Sequence, residues 1–500
     1  MNLASIIDGH PNDATAIISA NEVTTYGDLR QQVAAVRGGF LRLGVAPGDR
    51  VAFVMASNWY FVVAYLAALG VGAVVVPLNP QSPTAELERE LQAVGAKIAF
   101  VGATGQDAFA GVDRAAASIS TVLVPEGVEL SGALSFEDLL VVDQAPVVDR
   151  AEPDLAVLMF TSGTAGSPKA AMLTHGNLMA NLRQADQVAT GRLHPSDVVL
   201  GALPLFHIFG LNGVLGQSLY SGASVLLVQR FDPMASLQSI RERKLTVIVG
   251  VPPMYESWSS LPAAEATRRD FESVRIAVSG ASKLDAKLAT DFVDRFGVAI
   301  GEGYGLTEAS PIVTVADYAN PRHGTIGTPA PGVTIRLVDH DGSDALVGDP
   351  GEIWVKGANV FPGYWNDAEA TARALTSDGW LRTGDIAVAD DIGNLTIVDR
   401  EKDLIIVSGF NVYPAEVEEI LSQHPGVADV AVVGTPHPHS GETVKAFVVA
   451  RPDRMLEEDD LIAFCGRHLA RYKCPTKVNF VAELPHGLGG KLIRRTLRVP

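Results

Sequence analysis

The sequence predicts an α/β protein, and three observations carry that prediction. Apolar runs of strand length alternate with segments of helical period from Arg50 to Phe296. Between Gly324 and Val398 the texture changes to short alternating stretches separated by Pro331-Gly332, Asp341-Gly342, Pro350-Gly351 and Gly393-Asn394, which reads as an antiparallel β subdomain. Beyond the charged turn Asp399-Arg400-Glu401-Lys402-Asp403 a smaller α/β unit follows. The expected organisation is therefore a large N-terminal domain over 1–399, of helix-covered mixed sheets with the small antiparallel subdomain, and a small α/β C-terminal domain over 400–500.

Taken in order, Thr25 with Asp28 reads as a helix cap, and Leu29, Val33, Val36 and Phe40 follow at helical spacing until Gly44. Pro47-Gly48 turns the chain into an expected strand at Arg50 to Met55. No charged residue occurs from Val51 to Ser82, a run long enough to suggest a membrane span. Ser57 and Asn58 break it on one side, Gly70 and Gly72 interrupt the middle and Pro77 closes it, which divides the run into strand, helix and strand buried on both faces of a sheet. A helix from Ala85 and a strand from Lys97 extend the pattern, whereas 102–150 gives weaker signals. Further strands are expected near Val198, Ser224, Thr246, Val274 and Val298, with a helix over 284–296. The C-terminal unit reads as a strand near Leu404, a helix from Pro414 to Ser422, strands near Val430 and Val444, and a helix over 458–471.

Composition narrows the function. A chain of 500 residues with 47% apolar content supports a large core and more than one domain. A formal charge of −18 argues against nucleic acid as the main partner, because phosphate backbones want a basic face. Cys465 and Cys474 are the only cysteines, which predicts a reducing compartment and no structural zinc. Met1 to His10 has neither a basic start nor a long apolar core, so no secretory leader is expected and a cytoplasmic location follows. No histidine cluster, Ser-His-Asp order or cysteine nucleophile stands out.

Chemistry concentrates after the apolar run that ends at Phe160. Thr161, Ser162, Gly163, Thr164, Ala165, Gly166, Ser167, Pro168 and Lys169 form a loop with free backbone N–H groups, hydroxyl donors and a cation. That composition suits a polyphosphate, although it lacks the spacing of a Walker A loop. Pro204-Leu205-Phe206-His207, Gly280-Ala281-Ser282 and Gly303-Tyr304-Gly305-Leu306-Thr307-Glu308 each follow an expected strand. Loops at the carboxyl ends of strands are where open α/β sheets bind ligands, so these are expected to meet in one crevice.

The loop from Thr161 to Lys169 resembles the phosphate loop of the adenylate-forming superfamily, which contains acyl-CoA synthetases, firefly-type luciferases and nonribosomal-peptide adenylation domains. Four further strings resemble that superfamily's motifs in its own order. They are Gly303 to Glu308, Gly379-Trp380-Leu381-Arg382-Thr383-Gly384-Asp385, Asp399 to Pro414, and Gly490-Lys491-Leu492-Ile493-Arg494-Arg495. Ala165, Ala170 and Gly489 depart from it, standing where the superfamily usually has Thr, Gly, and Thr or Ser.

The resemblance implies an AMP-forming acyl-CoA synthetase: a carboxylic acid, ATP and CoA give acyl-CoA, AMP and pyrophosphate. It further implies that Thr161, Ser162, Gly163, Thr164, Gly166 and Lys169 hold the β and γ phosphates and that Glu308 ligates Mg²⁺. Thr307 then donates to the α-phosphate and Tyr304 stacks on adenine beside Gly303 and Gly305. Gly280, Ala281 and Ser282 line the adenine pocket. Asp385 accepts from the ribose hydroxyls, with Arg400 near the ribose or phosphate, and His207 positions the acyl carboxylate. Lys491 meets both carboxylate and α-phosphate, where a cation acts mainly in the transition state. Lys402 is the hinge of a mobile C-terminal domain whose rotation brings Ser408 and Gly409 to a pantetheine tunnel. A medium- or long-chain fatty acid is the first expectation, with malonate-type or aryl acids as alternatives and peripheral membrane contact open for a lipid substrate. Other readings are an acyl-AMP ligase that loads a carrier protein, a luciferase-like oxidation, and a silent nucleotide or lipid sensor. Oligomeric state stays open between monomer and homodimer.

Overall fold

The computed structural model describes residues 1–19, 22–140, 143–161, 169–400, 403–407, 410–437, 441–452, 456–486 and 492–498, with side chains left aside at 400, 410, 411, 441 and 495. Packing divides the chain into two compact units. The first is Met1–Gly280 with Leu284–Thr334 and Val355–Leu381; the second is Ala281–Lys283 with Ile335–Trp354 and Arg382–Pro500.

Two seven-stranded sheets build the first unit. One runs Leu134–Ser135, Thr121–Val124, Ile98–Val101, Arg50–Val54, Val74–Leu78, Leu155–Thr161 and Lys169–Thr174, parallel except for its last strand. The uncharged run over 51–82 supplies its centre. Val74–Leu78 is buried throughout, and Asn58 caps the buried helix Trp59–Gly70 by accepting from the Phe61 N–H at 3.0 Å. Among the described residues no helix is long and apolar enough to cross a membrane.

The other sheet runs Ile300–Glu302, Ile276–Ser279, Val247–Gly250, Val198–Gly201, Ser224–Leu227, Thr15–Ser19 and Glu22–Thr25, with only the last pairing antiparallel. The loops after its first four strands therefore leave from one edge. The strand expected near Val298 begins instead at Ile300, because Gly297, at φ +74°, ends the preceding helix Ala286–Phe296 in the left-handed region. A three-stranded antiparallel sheet, Tyr304–Gly305, Ile312–Val315 and Thr328–Pro329, follows.

The region read as an antiparallel subdomain holds a four-stranded sheet, Val333–Val338, Gly351–Gly357, Leu381–Ala389 and Leu395–Arg400, most of which belongs to the second unit. It also holds an unexpected helix, Ala368–Ala374, started by Asp367, whose carboxylate accepts from the Ala370 N–H at 2.8 Å. The rest of the second unit is a five-stranded sheet with the helices Pro414–Ser422 and Glu458–Gly466, closed over a core that includes Ile405, Val417, Leu421, Val432 and Leu461. The last helix stops short of Arg471 because the chain tightens after Gly466. There the Arg467 N–H bonds back to the Phe464 carbonyl at 3.2 Å, and Arg471–Lys473 is a separate 3-10 turn.

Candidate active site

The phosphate-loop candidate is the tip of an antiparallel hairpin. Thr161 and Lys169 pair across its mouth as the last and first residues of Leu155–Thr161 and Lys169–Thr174. The string therefore returns immediately as a strand, which fixes where its two ends stand. Ser162, Gly163, Thr164 and Gly166 lie outside the described residues.

Beside that mouth runs the segment Phe361 to Trp365. Met172 N–H bonds to the Gly363 carbonyl at 3.0 Å and Trp365 N–H to the Ala170 carbonyl at 2.8 Å, so Tyr364 bridges to Ala171 as a short extra strand. The Lys169 ammonium then sits 5.3 Å from the centre of the Tyr364 ring. The Tyr364 hydroxyl donates to Glu308 Oε1 at 2.6 Å, and the Phe361 N–H bonds to the Glu308 carbonyl at 2.9 Å. The cation chosen for phosphate and the carboxylate chosen for metal are thus joined by one side chain that sequence reasoning missed. Burial, followed by the Glu308 carboxylate, raises the Tyr364 pKa, so the phenol stays protonated as a donor.

The loop that carries Glu308 is fixed by a buried amide network. Gly305 sits where an added Cβ would collide with the Pro311 carbonyl, and Leu306 N–H bonds to that carbonyl at 3.0 Å. Asn359, fully buried, donates to the carbonyls of Ala309 and Ile312 at 2.9 and 3.1 Å. Asn212 donates to the Ser310 carbonyl at 2.7 Å and Asn181 to that of Ile312 at 2.9 Å. Thr307 and Glu308 therefore lie on a short 3-10 turn, Thr307–Ala309, whose carbonyls are satisfied from behind.

Adjacent parallel strands bring the remaining loops of the first unit together. Gly280 N–H bonds to the Gly250 carbonyl and Gly303 N–H to that of Ser279, each at 3.2 Å. A Cβ on Gly280 would meet the Phe209 ring at 2.9 Å, so Gly280 and the loop carrying His207 approach closely. Ala281 and Ser282, which are counted with the second unit, follow in the chain, Ala281 at φ +67° in the left-handed region; in the first unit the Tyr304 N–H bonds to Thr314 Oγ1 at 3.1 Å. His207 is exposed and its Nδ1 accepts from the Phe209 N–H at 3.3 Å, which puts the proton of the neutral ring on Nε2.

In the second unit Asp385 is buried, its N–H bonds to Thr383 Oγ1 at 3.1 Å, and it pairs in register with Arg400 across neighbouring strands. Lys402, Ser408, Gly409 and Lys491 lie outside the described residues. The flanks of the Lys491 segment are pinned: His486 bridges to Leu492, and Ile493 N–H bonds to the Pro485 carbonyl at 2.8 Å.

Among the described residues no cluster of three or more His, Cys, Asp or Glu could hold a metal. A lone carboxylate still fits Mg²⁺, which is commonly held by one or two carboxylates, substrate phosphates and water. Glu308 Oε1 is occupied by Tyr364, and Oε2 takes no hydrogen bond among the described residues.

The family description "AMP-binding enzyme" matches residues 4–365, and "AMP-binding enzyme C-terminal domain" matches residues 416–491. A long-chain-fatty-acid-CoA ligase of Escherichia coli O6:H1 is 38% identical, over 97% of this chain and 91% of that protein. A feruloyl-CoA synthase of Amycolatopsis sp is 37% identical, over 97% of this chain and 95% of its own. The crystal structure of ATP-bound MatB from Rhodopseudomonas palustris superposes with a TM-score of 0.91 at 33% identity, covering 99% of this chain and 98% of that one. With the paired Thr161 and Lys169 beside Glu308, and with both family domains in order, this chain belongs to the AMP-binding enzyme family and is an adenylate-forming, AMP-forming acid-CoA ligase.

Proposed function

We propose that the enzyme activates a medium- or long-chain fatty acid in the cytoplasm, with ATP and CoA as co-substrates. The observation that carries the substrate class is the 38% identity to a long-chain-fatty-acid-CoA ligase across nearly the whole of both chains. An aryl acid is the second reading, favoured by the 37% identity to a feruloyl-CoA synthase.

In this reading the fatty carboxylate attacks the α-phosphorus of ATP, the bond to the β-phosphate oxygen breaks, and pyrophosphate leaves. The hairpin tip from Thr161 to Lys169 grips the β and γ phosphates, Thr307 donates to the α-phosphate, and Tyr304 covers the adenine against the backbone of Gly280, Ala281 and Ser282. Asp385 holds the ribose hydroxyls, with Arg400 at the ribose or phosphate. Glu308 would hold a Mg²⁺ ion, which when bound offsets charge on the phosphates. His207 offers its Nε2 proton to orient the carboxylate, and Lys491 stabilises the charge that develops between carboxylate and phosphate. Rotation of residues 400–500 about Lys402 then withdraws Lys491 and presents Ser408 and Gly409 to the pantetheine arm, whose thiolate displaces AMP.

The test is pyrophosphate release and thioester formation over acids from octanoate to palmitate, with ferulate and benzoate alongside, each with and without CoA. Highest kcat/KM for the saturated acids supports the fatty-acid reading. Higher values for ferulate or benzoate replace it with the aryl one.

A further inference from the structure

We infer that Tyr364 is a positioning residue that sets the spacing between the phosphate-binding cation Lys169 and the metal-binding carboxylate Glu308. The inference rests on the proposed role of Glu308 and goes beyond it, because Tyr364 belongs to none of the motifs that identify the site.

Three observations carry it. The Tyr364 backbone is bolted to the hairpin that starts at Lys169, through the bonds from Met172 to Gly363 and from Trp365 to Ala170. Its own N–H is held by Thr371 Oγ1 at 2.9 Å, and its ring packs edge-on against Phe361 at 4.9 Å, so the side chain leaves the strand in a fixed direction. Along that direction the ring face meets the Lys169 ammonium at 5.3 Å and the hydroxyl meets Glu308 Oε1 at 2.6 Å.

The two contacts use different parts of one rigid side chain. The π face holds a cation, and the phenol holds one oxygen of a carboxylate, leaving Oε2 for a metal. Polyphosphate with Mg²⁺ needs a cation and a metal at a set separation, and a tyrosine ring has only two torsions to spoil it. Hydrogen-bonded partners of metal-binding carboxylates typically account for roughly 10- to 100-fold in metal affinity. Bound ATP would therefore feel the hydroxyl through the metal and the ring through the lysine.

Calorimetric titration of ATP into the enzyme without acid substrate, in EDTA and in Mg²⁺, separates the two contacts. Tyr364→Phe keeps the ring and should bind ATP in EDTA within about twofold of the parent, while the gain in affinity on adding Mg²⁺ falls about tenfold. Tyr364→Leu should lose the Mg²⁺ gain and also weaken binding in EDTA severalfold, since Lys169 loses its platform. Glu308→Gln should remove the Mg²⁺ gain with little change in EDTA. If Glu308→Gln loses that gain and Tyr364→Phe keeps it, the hydroxyl does not position the carboxylate and the inference fails alone. If Glu308→Gln keeps it, the metal-binding reading of Glu308 fails and takes this inference with it. If Tyr364→Leu binds ATP in EDTA like the parent, the ring is not the platform for Lys169.

Discussion

Arg494 Nη2 lies 2.5 Å from Glu418 Oε2, and Arg494 Nε lies 3.2 Å from Oε1, a two-pronged ion pair between the last 3-10 turn and the helix Pro414–Ser422. In sequence Arg494 looks like a solvated tail residue; in the structure its side chain is only 17% exposed and that of Glu418 16%. Burial works against both charges. For Arg494 the surrounding Glu418, Asp399 and Asp403 outweigh that cost and its pKa rises, whereas for Glu418 burial dominates and its carboxyl sits above its ordinary range. The guanidinium keeps its proton at accessible pH, and the Val432 N–H adds a bond to Glu418 Oε1 at 2.7 Å.

Removing one partner of such a pair strands the other. Arg494→Ala is expected to destabilise the second unit by about 3 to 5 kcal/mol, and Arg494→Met with Glu418→Leu to recover most of the loss. Urea denaturation of the full chain checks this. An Arg494→Ala midpoint equal to that of the parent would show that the pair holds nothing.

Lys491 and Lys402 make opposite predictions. Lys491→Ala should lower carboxylate-dependent ATP–pyrophosphate exchange roughly 100- to 1,000-fold, yet largely preserve thioester formation from presynthesised acyl-AMP. Lys402→Pro should retain exchange and lose thioester formation. Equal loss of both half-reactions in Lys491→Ala would remove the alternating role of the C-terminal domain, and normal thioester formation in Lys402→Pro would remove the hinge.

What the sequence displayed, and what it hid, follows from how local each signal is. Thr25 and Asp28 form the capping box that their spacing predicts, and Pro414 begins its helix at the expected residue. The uncharged run over 51–82 became strand, helix and strand because Asn58 caps the helix and Gly72, at φ +79°, turns the chain after it, whereas Pro77 lies inside the second strand, paired with Phe53. Two contacts that the sequence hid were not local. Tyr364 reaches Glu308 across 56 residues and Arg494 reaches Glu418 across 76, and neither pairing leaves a period or a cap in the chain. Gly363-Tyr364-Trp365-Asn366-Asp367 did carry a faint cue, an aromatic pair before an Asn-Asp turn. The helix Ala368–Ala374 that follows buries only Ala370, too little apolar surface to show as helical spacing.

His175 yields the last prediction, on acid sensitivity. It begins the helix His175–Asp186 fully buried, with Nδ1 accepting from the Leu3 N–H at 3.0 Å and Nε2 without a hydrogen-bond partner among the described residues. Burial, then the positive charge of Arg150, lowers its pKa to about 4. The unfolded chain takes up this proton near pH 6.5, the folded chain only near pH 4. The neutral ring thus contributes stability fully above about pH 6.5, and the contribution is lost as pH falls through that window, amounting to about 3 kcal/mol at the acid end. Comparing His175→Gln with the parent isolates this residue from the carboxylates, which also titrate at the acid end. The parent melting temperature should fall between pH 7 and pH 4.5 more steeply than that of His175→Gln, although the variant starts lower. Parallel slopes in differential scanning calorimetry would show that His175 takes up its proton in the folded state as readily as in the unfolded one.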